Sequence, residues 1–96
     1  MRQVSSMKFE EACEKALDYF RKEYNDSGLR SARDLKESWL FEGANEDGAV
    51  VYGKQDVTID KKSGELDLFY LPNEENFKRL DDAVKIELPE KYRINV

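Results

Sequence analysis

Carboxylates are the side chains in this sequence most capable of chemistry, because its 96 residues include 21 Asp and Glu, one cysteine and no histidine. Without histidine, one chain cannot assemble a Ser-His-Asp or Cys-His nucleophile or a histidine-ligated zinc site. Cys13 stands alone among apolar helix residues, which indicates a buried structural thiol. The dispersed glycines form no phosphate-binding loop. The sequence therefore predicts no catalytic, cofactor-binding or metal-binding residue.

Several acids cluster around the segment 61–64, where Asp56, Asp60, Glu65 and Asp67 alternate with apolar residues. A glycosidase needs two carboxylates across a cleft that holds a sugar ring, which a domain of this length rarely offers. Two interpretations remain open: the solvated outer face of a sheet, which is the more common case, or an acidic surface that recognises a partner. The second interpretation gives five candidate partner-binding residues, which are Glu42, Glu46, Asp47, Glu65 and Asp67.

The net charge of -5 opposes binding to nucleic-acid phosphates and to anionic lipid, since both are polyanions. It favours a basic protein partner, although solubility alone explains such a charge in many small proteins. No apolar run approaches the roughly 18 residues of a membrane helix. A single cysteine gives no sign of an oxidising compartment. We therefore expect a cytoplasmic protein with neither nucleic acid nor membrane as partner, and its oligomeric state stays open.

The elements that must position these acids are predicted to form one α+β domain over residues 1–96, with a core from about 7 to 88. Apolar residues recur every three or four positions over 6–25, which predicts a helix with one buried stripe. The predicted order is this N-terminal helix, a three- to four-stranded antiparallel sheet and a second helix. One face of the sheet would pack against the helices in a two-layer sandwich.

A β-hairpin is the clearest element, because alternating residues over 55–60 and 65–71 flank the turn Lys61-Lys62-Ser63-Gly64. Gly64 suits the left-handed end of such a turn. Strands are also predicted over 38–42 and 49–52, with turn residues over 43–48 between them. Residues 29–37 read as a strand or a short helix, and we favour the strand. The second helix is predicted to begin at Asn73 and to carry Phe77, Leu80 and Val84 on one face.

The hairpin also resembles a known family. Its residues Val57-Thr58-Ile59-Asp60-Lys61-Lys62-Ser63-Gly64-Glu65-Leu66 are similar to the signature apolar-x-apolar-Asp-Lys-x-[Ser/Thr]-Gly-Glu-apolar of the YrhB-like domains, also known as bacterial immunity protein family 35. The aromatic segment Trp39-Leu40-Phe41 before the hairpin and the helix start Pro72-Asn73-Glu74-Glu75 after it fit the same pattern. The resemblance covers roughly residues 9–80.

The resemblance implies a small bacterial cytoplasmic protein linked to polymorphic toxin systems, in which an immunity protein binds and blocks a toxin made by the same cell. We therefore expect a non-catalytic binding protein that neutralises a cognate toxin by occlusion. The alternative, also implied by the family, is a stand-alone chaperone-like or housekeeping domain without a dedicated toxin. If the chain were an enzyme, its catalytic groups would have to be carboxylates, Lys and Tyr alone.

Overall fold

A computed structural model of the chain describes residues 8–44, 55–70 and 73–93. The described residues form two α-helices and a five-stranded antiparallel sheet, so the predicted α+β class is confirmed with five strands in place of three to four. The elements in chain order are α1 (Phe9–Tyr24), β1 (Gly28–Asp34), β2 (Ser38–Ala44), β3 (Asp56–Asp60), β4 (Leu66–Phe69), α2 (Glu74–Asp81), β5 (Val84–Ile86) and a 3-10 turn (Glu90–Tyr92).

Helix α1 buries its predicted apolar stripe against the middle strands of the sheet. Phe20 on α1 and Phe41 on β2 are fully buried, as are Val57 and Ile59 on β3. These side chains belong to one continuous apolar cluster, which α1 closes on one side and the sheet on the other. Burial of this cluster removes apolar surface from water and supplies most of the driving force for folding.

Strands β1 and β2 differ in part from the prediction. Residues 29–37 are a strand over most of their length, as favoured, and not a helix. Strand β2 continues through Gly43, which was wrongly predicted to begin a turn. A Cβ on Gly43 would stand 2.5 Å from the Cγ atom of Phe20, so this position needs glycine for close packing against α1. The strand predicted over 49–52 lies outside the described residues.

The fifth strand, β5, arises where the prediction continued the second helix. Helix α2 ends at Asp81, and Val84 pairs with Asp34 at the outer side of β1. Placing Val84 on the helix was therefore wrong. Val84 and Ile86 are β-branched and alternate with Lys85, which suits a strand, and the backbone of β1 offers hydrogen bonds that a frayed helix end lacks. The sheet order is β4-β3-β2-β1-β5.

The two helices lie on opposite faces of the sheet, which differs from the predicted packing of both on one face. Leu40 follows Trp39 and precedes Phe41 on β2, so its side chain points away from α1. Leu40 packs with Leu35 and Phe69 in a second, smaller cluster. Leu80 and Ala83, from the end of α2 and just beyond it, cover this cluster. None of the residues of α2 is itself fully buried, so the helix covers this second face only in part.

Candidate functional site: an acidic groove

The open part of the second sheet face is a groove of about 530 Å³, which we call the acidic groove. Strands β2, β3 and β4 form its floor, and α2 forms one wall. Among the described residues, four carboxylates and one guanidinium line it, so negative charge is in excess there. The polar lining consists of Glu37, Ser38, Thr58, Asp60, Glu65, Asp67, Asn76 and Arg79, with Tyr70 and Leu68 beside them.

Strand register brings these side chains together. Thr58 lies opposite Asp67, and Ser38 lies opposite Asp60. The backbone N–H of Asp60 donates to the carbonyl oxygen of Glu65 at 3.0 Å, which places Glu65 at the next cross-strand position. Since side chains two residues apart on a strand share a face, Thr58 and Asp60 point to the same side as their partners. The hairpin thus supplies three of the four carboxylates.

The turn of the hairpin holds Asp60 firmly. Its Oδ2 atom accepts hydrogen bonds from the backbone N–H groups of Ser63 at 2.7 Å and Lys62 at 2.9 Å. These bonds hold the pKa of the Asp60 carboxyl below its ordinary value of 3.8. Gly64 has φ 76°, which confirms its predicted left-handed conformation. The Nζ atom of Lys15 donates to the carbonyl oxygen of Gly64 and ties the turn to α1.

Arg79 is held at the wall of the groove by neutral partners. Its Nη2 atom donates to Ser38 Oγ at 3.2 Å and its Nη1 atom to Asn76 Oδ1 at 3.2 Å. The guanidinium carbon stands 5.6 Å from the centre of the Phe69 ring, a cation–π arrangement. Within residues 8–44, 55–70 and 73–93, Arg79 forms no ion pair with the nearby carboxylates. The groove acids are therefore left unneutralised by the wall.

The five predicted partner-binding residues separate into three groups. Glu65 and Asp67 lie together in the acidic groove. Glu42 projects from the same face of β2 but outside the groove, where its Oε1 accepts from Ser31 Oγ at 3.1 Å and its Oε2 lies 3.6 Å from Arg30 Nε. Glu46 and Asp47 lie outside the described residues.

Sequence reasoning missed other groove residues as candidates. Asp60 and Thr58 stood in the alternating pattern of β3, which predicted their face correctly but treated it as fully wet. Thr58 is only 7% exposed. Glu37 and Arg79 lie outside the hairpin in the sequence, and the β1–β2 turn and α2 bring them to the groove. Their charge gave no local signal, because such residues are abundant on the whole surface.

In the described part of the chain, no group of three or more Cys, Asp or Glu side chains converges in a way that could hold a metal ion. No helix there is both long enough and apolar enough to cross a membrane.

Comparisons of the chain with models of known families, with characterised proteins and with solved structures found no match.

Proposed function

We propose that this chain is a non-catalytic binding protein that recognises a basic protein surface through the acidic groove. The observation that carries the proposal is the state of three groove carboxylates. Those of Glu37, Glu65 and Asp67 make no hydrogen bond or ion pair with any residue that the structure describes. Charged groups that are exposed and unpaired keep their full capacity to bind a cationic partner.

Charge supports the same conclusion over a longer range. The chain carries a net charge of -5, and four carboxylates of the described residues line one groove. Complementary potentials steer two proteins toward each other and raise the association rate, more than they raise affinity. A partner with a basic surface would therefore meet this face preferentially, and salt would slow the encounter.

Within this class we propose an immunity-type protein, which blocks a cognate toxin in the cytoplasm by occluding it. The support is the resemblance of the hairpin to the signature of bacterial immunity protein family 35. The same hairpin supplies Asp60, Glu65 and Asp67 to the acidic groove. Cys13 is a buried free thiol, and burial raises its pKa to about 12, which fits an inert structural residue.

Co-expression with the product of the neighbouring gene tests this proposal. We expect that gene product alone to arrest growth, and we expect this chain to restore growth and to co-purify with it. The variant Glu65→Lys/Asp67→Lys should lose the complex. The matched control Asp18→Lys/Glu23→Lys changes the net charge equally on the exposed face of α1 and should keep it. A harmless neighbour, a missing complex, or equal loss in the control would contradict the proposal.

The chaperone-like alternative would use exposed apolar surface to bind unfolded clients. Four large apolar side chains are exposed among the described residues, namely Leu68, Tyr70, Phe77 and Val84. They are divided among α2, β5, and β4 with the residue after it. Because β4 and β5 lie at opposite edges of the sheet, the four side chains do not form the single contiguous patch that client binding requires. Suppression of aggregation of unrelated proteins, without any toxin, would favour this alternative.

A further inference from the structure

We propose that the floor of the acidic groove at Thr58 receives a single cationic side chain, the guanidinium or ammonium group of an Arg or Lys of the protein partner. This inference rests on the proposed function and specifies its contact. It depends on Thr58, which is a buried polar group with an unused hydrogen-bonding capacity, and on the carboxylates placed around it.

Thr58 is unusual among the buried residues of the sheet. It is more than nine-tenths buried, yet its hydroxyl makes no hydrogen bond with any described group. Every fully buried side-chain oxygen or nitrogen atom of the described residues has a hydrogen-bond partner. Because the Thr58 hydroxyl has no such partner, its oxygen must remain accessible, and Thr58 lines the groove. A hydroxyl has two acceptor lone pairs as well as its proton. It can therefore accept a hydrogen bond from a cation that enters the groove.

The surroundings of Thr58 suit a positive charge. Asp67 is its cross-strand neighbour, and Asp60 lies two residues along the same strand face. Glu65 lines the same groove and is exposed. Carboxylates supply charge-assisted hydrogen bonds to such a cation. Because Asp60 is fixed by the turn, part of this site is ordered before a partner arrives.

Arg79 shows that the groove wall already accommodates a guanidinium. That group lies on Phe69 and donates hydrogen bonds to Ser38 and Asn76. These neutral partners hold it at the wall, which leaves the floor at Thr58 for another cation. Among the described residues of the lining, Arg79 alone would attract an anionic ligand, and four carboxylates would repel it. The balance of charge therefore selects a cation.

Titration of the isotopically labelled full chain with short peptides tests the inference. The probes are acetylated and amidated Gly-Gly-Xaa-Gly-Gly, with Xaa as arginine, lysine or neutral citrulline. We expect the arginine or the lysine peptide to shift the backbone amide signals of Thr58, Asp60 and Asp67, with weak affinity because a single side chain is bound. The citrulline peptide should leave these signals unchanged. A preference between arginine and lysine would identify the side chain.

Variants at the floor sharpen the test. Thr58→Val keeps the branched shape and replaces the hydroxyl with a methyl group, so we expect binding at least about tenfold weaker with no loss of fold. Thr58→Ser keeps the hydroxyl and should bind the cationic peptide as the parent does. Asp67→Asn should weaken binding, whereas Glu42→Gln makes the same charge change outside the groove and should not. Binding of citrulline equal to arginine, or unchanged binding by Thr58→Val, would overturn the inference.

Two results separate this inference from the proposed function. If Thr58→Val forms the complex with the neighbouring gene product as tightly as the parent, the proposed function stands and the contact at Thr58 is wrong. If the parent binds the cationic peptide through the groove but no complex with that product forms, the contact at Thr58 stands and the immunity-type function is wrong.

Discussion

The two faces of the sheet use the same strands for different purposes. On the face toward α1, apolar side chains from the helix and three strands are fully buried in one continuous cluster. On the face toward α2, a small apolar cluster sits beside a polar groove with unpaired carboxylates. Neighbours on β3 show the contrast, since Ile59 fills the core and Thr58 keeps an unused hydroxyl. The first face stabilises the fold, and the second leaves polar and charged groups exposed.

Removing the central ring of the α1 face should have the largest effect. Phe20→Ala leaves a cavity among fully buried neighbours, so we expect a loss of about 3–5 kcal/mol in the free energy of unfolding, measured by urea denaturation. Phe69→Ala, in the smaller cluster on the second face, should cost less because α2 covers that cluster only partly. An equal or larger cost for Phe69→Ala would break the comparison.

Gly43→Ala tests how tightly α1 packs on β2. The new Cβ would stand 2.5 Å from Phe20 Cγ and 2.6 Å from Asp26 Oδ2, so we expect a loss of about 1–3 kcal/mol in the free energy of unfolding. In the Phe20→Ala background the ring is gone, and the same change should cost clearly less. A double-mutant cycle measures this coupling. Strict additivity of the two changes would show that Phe20 does not limit the space at Gly43.

The turn beside the groove should make stability depend on pH through Asp60. The backbone N–H groups of Ser63 and Lys62 lower the pKa of this carboxyl in the folded chain. Such a group stabilises the fold above its ordinary pKa, and this contribution is lost as pH falls through the lower, folded-state pKa. The difference in unfolding free energy between the parent and Asp60→Asn should therefore shrink from about pH 5 to about pH 2. A difference that is constant with pH would contradict the turn geometry.

The smallest effect on stability is expected from the groove acid Asp67. It is exposed and makes no hydrogen bond or ion pair with a described residue, so Asp67→Asn should change the free energy of unfolding by less than about 0.5 kcal/mol. The same variant should weaken cationic peptide binding. Thermal unfolding and the peptide titration, made on one sample, check both. A large loss of stability would mean that this face also serves the fold.

Local chemistry was sufficient to predict the elements that depend on near neighbours in the chain. The spacing of Phe20 and its companions predicted α1, alternation predicted β3, and the left-handed preference of glycine predicted the turn at Gly64. The α+β class followed from the order of these elements. Each prediction relies on a period or a dihedral angle that a few adjacent residues define.

Features that depend on distant contacts were not predictable in this way. Val84 forms a strand because β1 offers an unpaired side, Gly43 is required because Phe20 approaches it, and the groove exists because α2 crosses the face away from α1. Each depends on contacts between residues that are distant in the chain, such as the hydrogen bond between Ser38 and Arg79 in the groove, which are 41 positions apart. The carboxylates were visible in the sequence, but the position of Thr58 among them was not. Burial and hydrogen-bond partners are properties of the packed chain, so the groove appears only when the helices have taken their places on opposite faces.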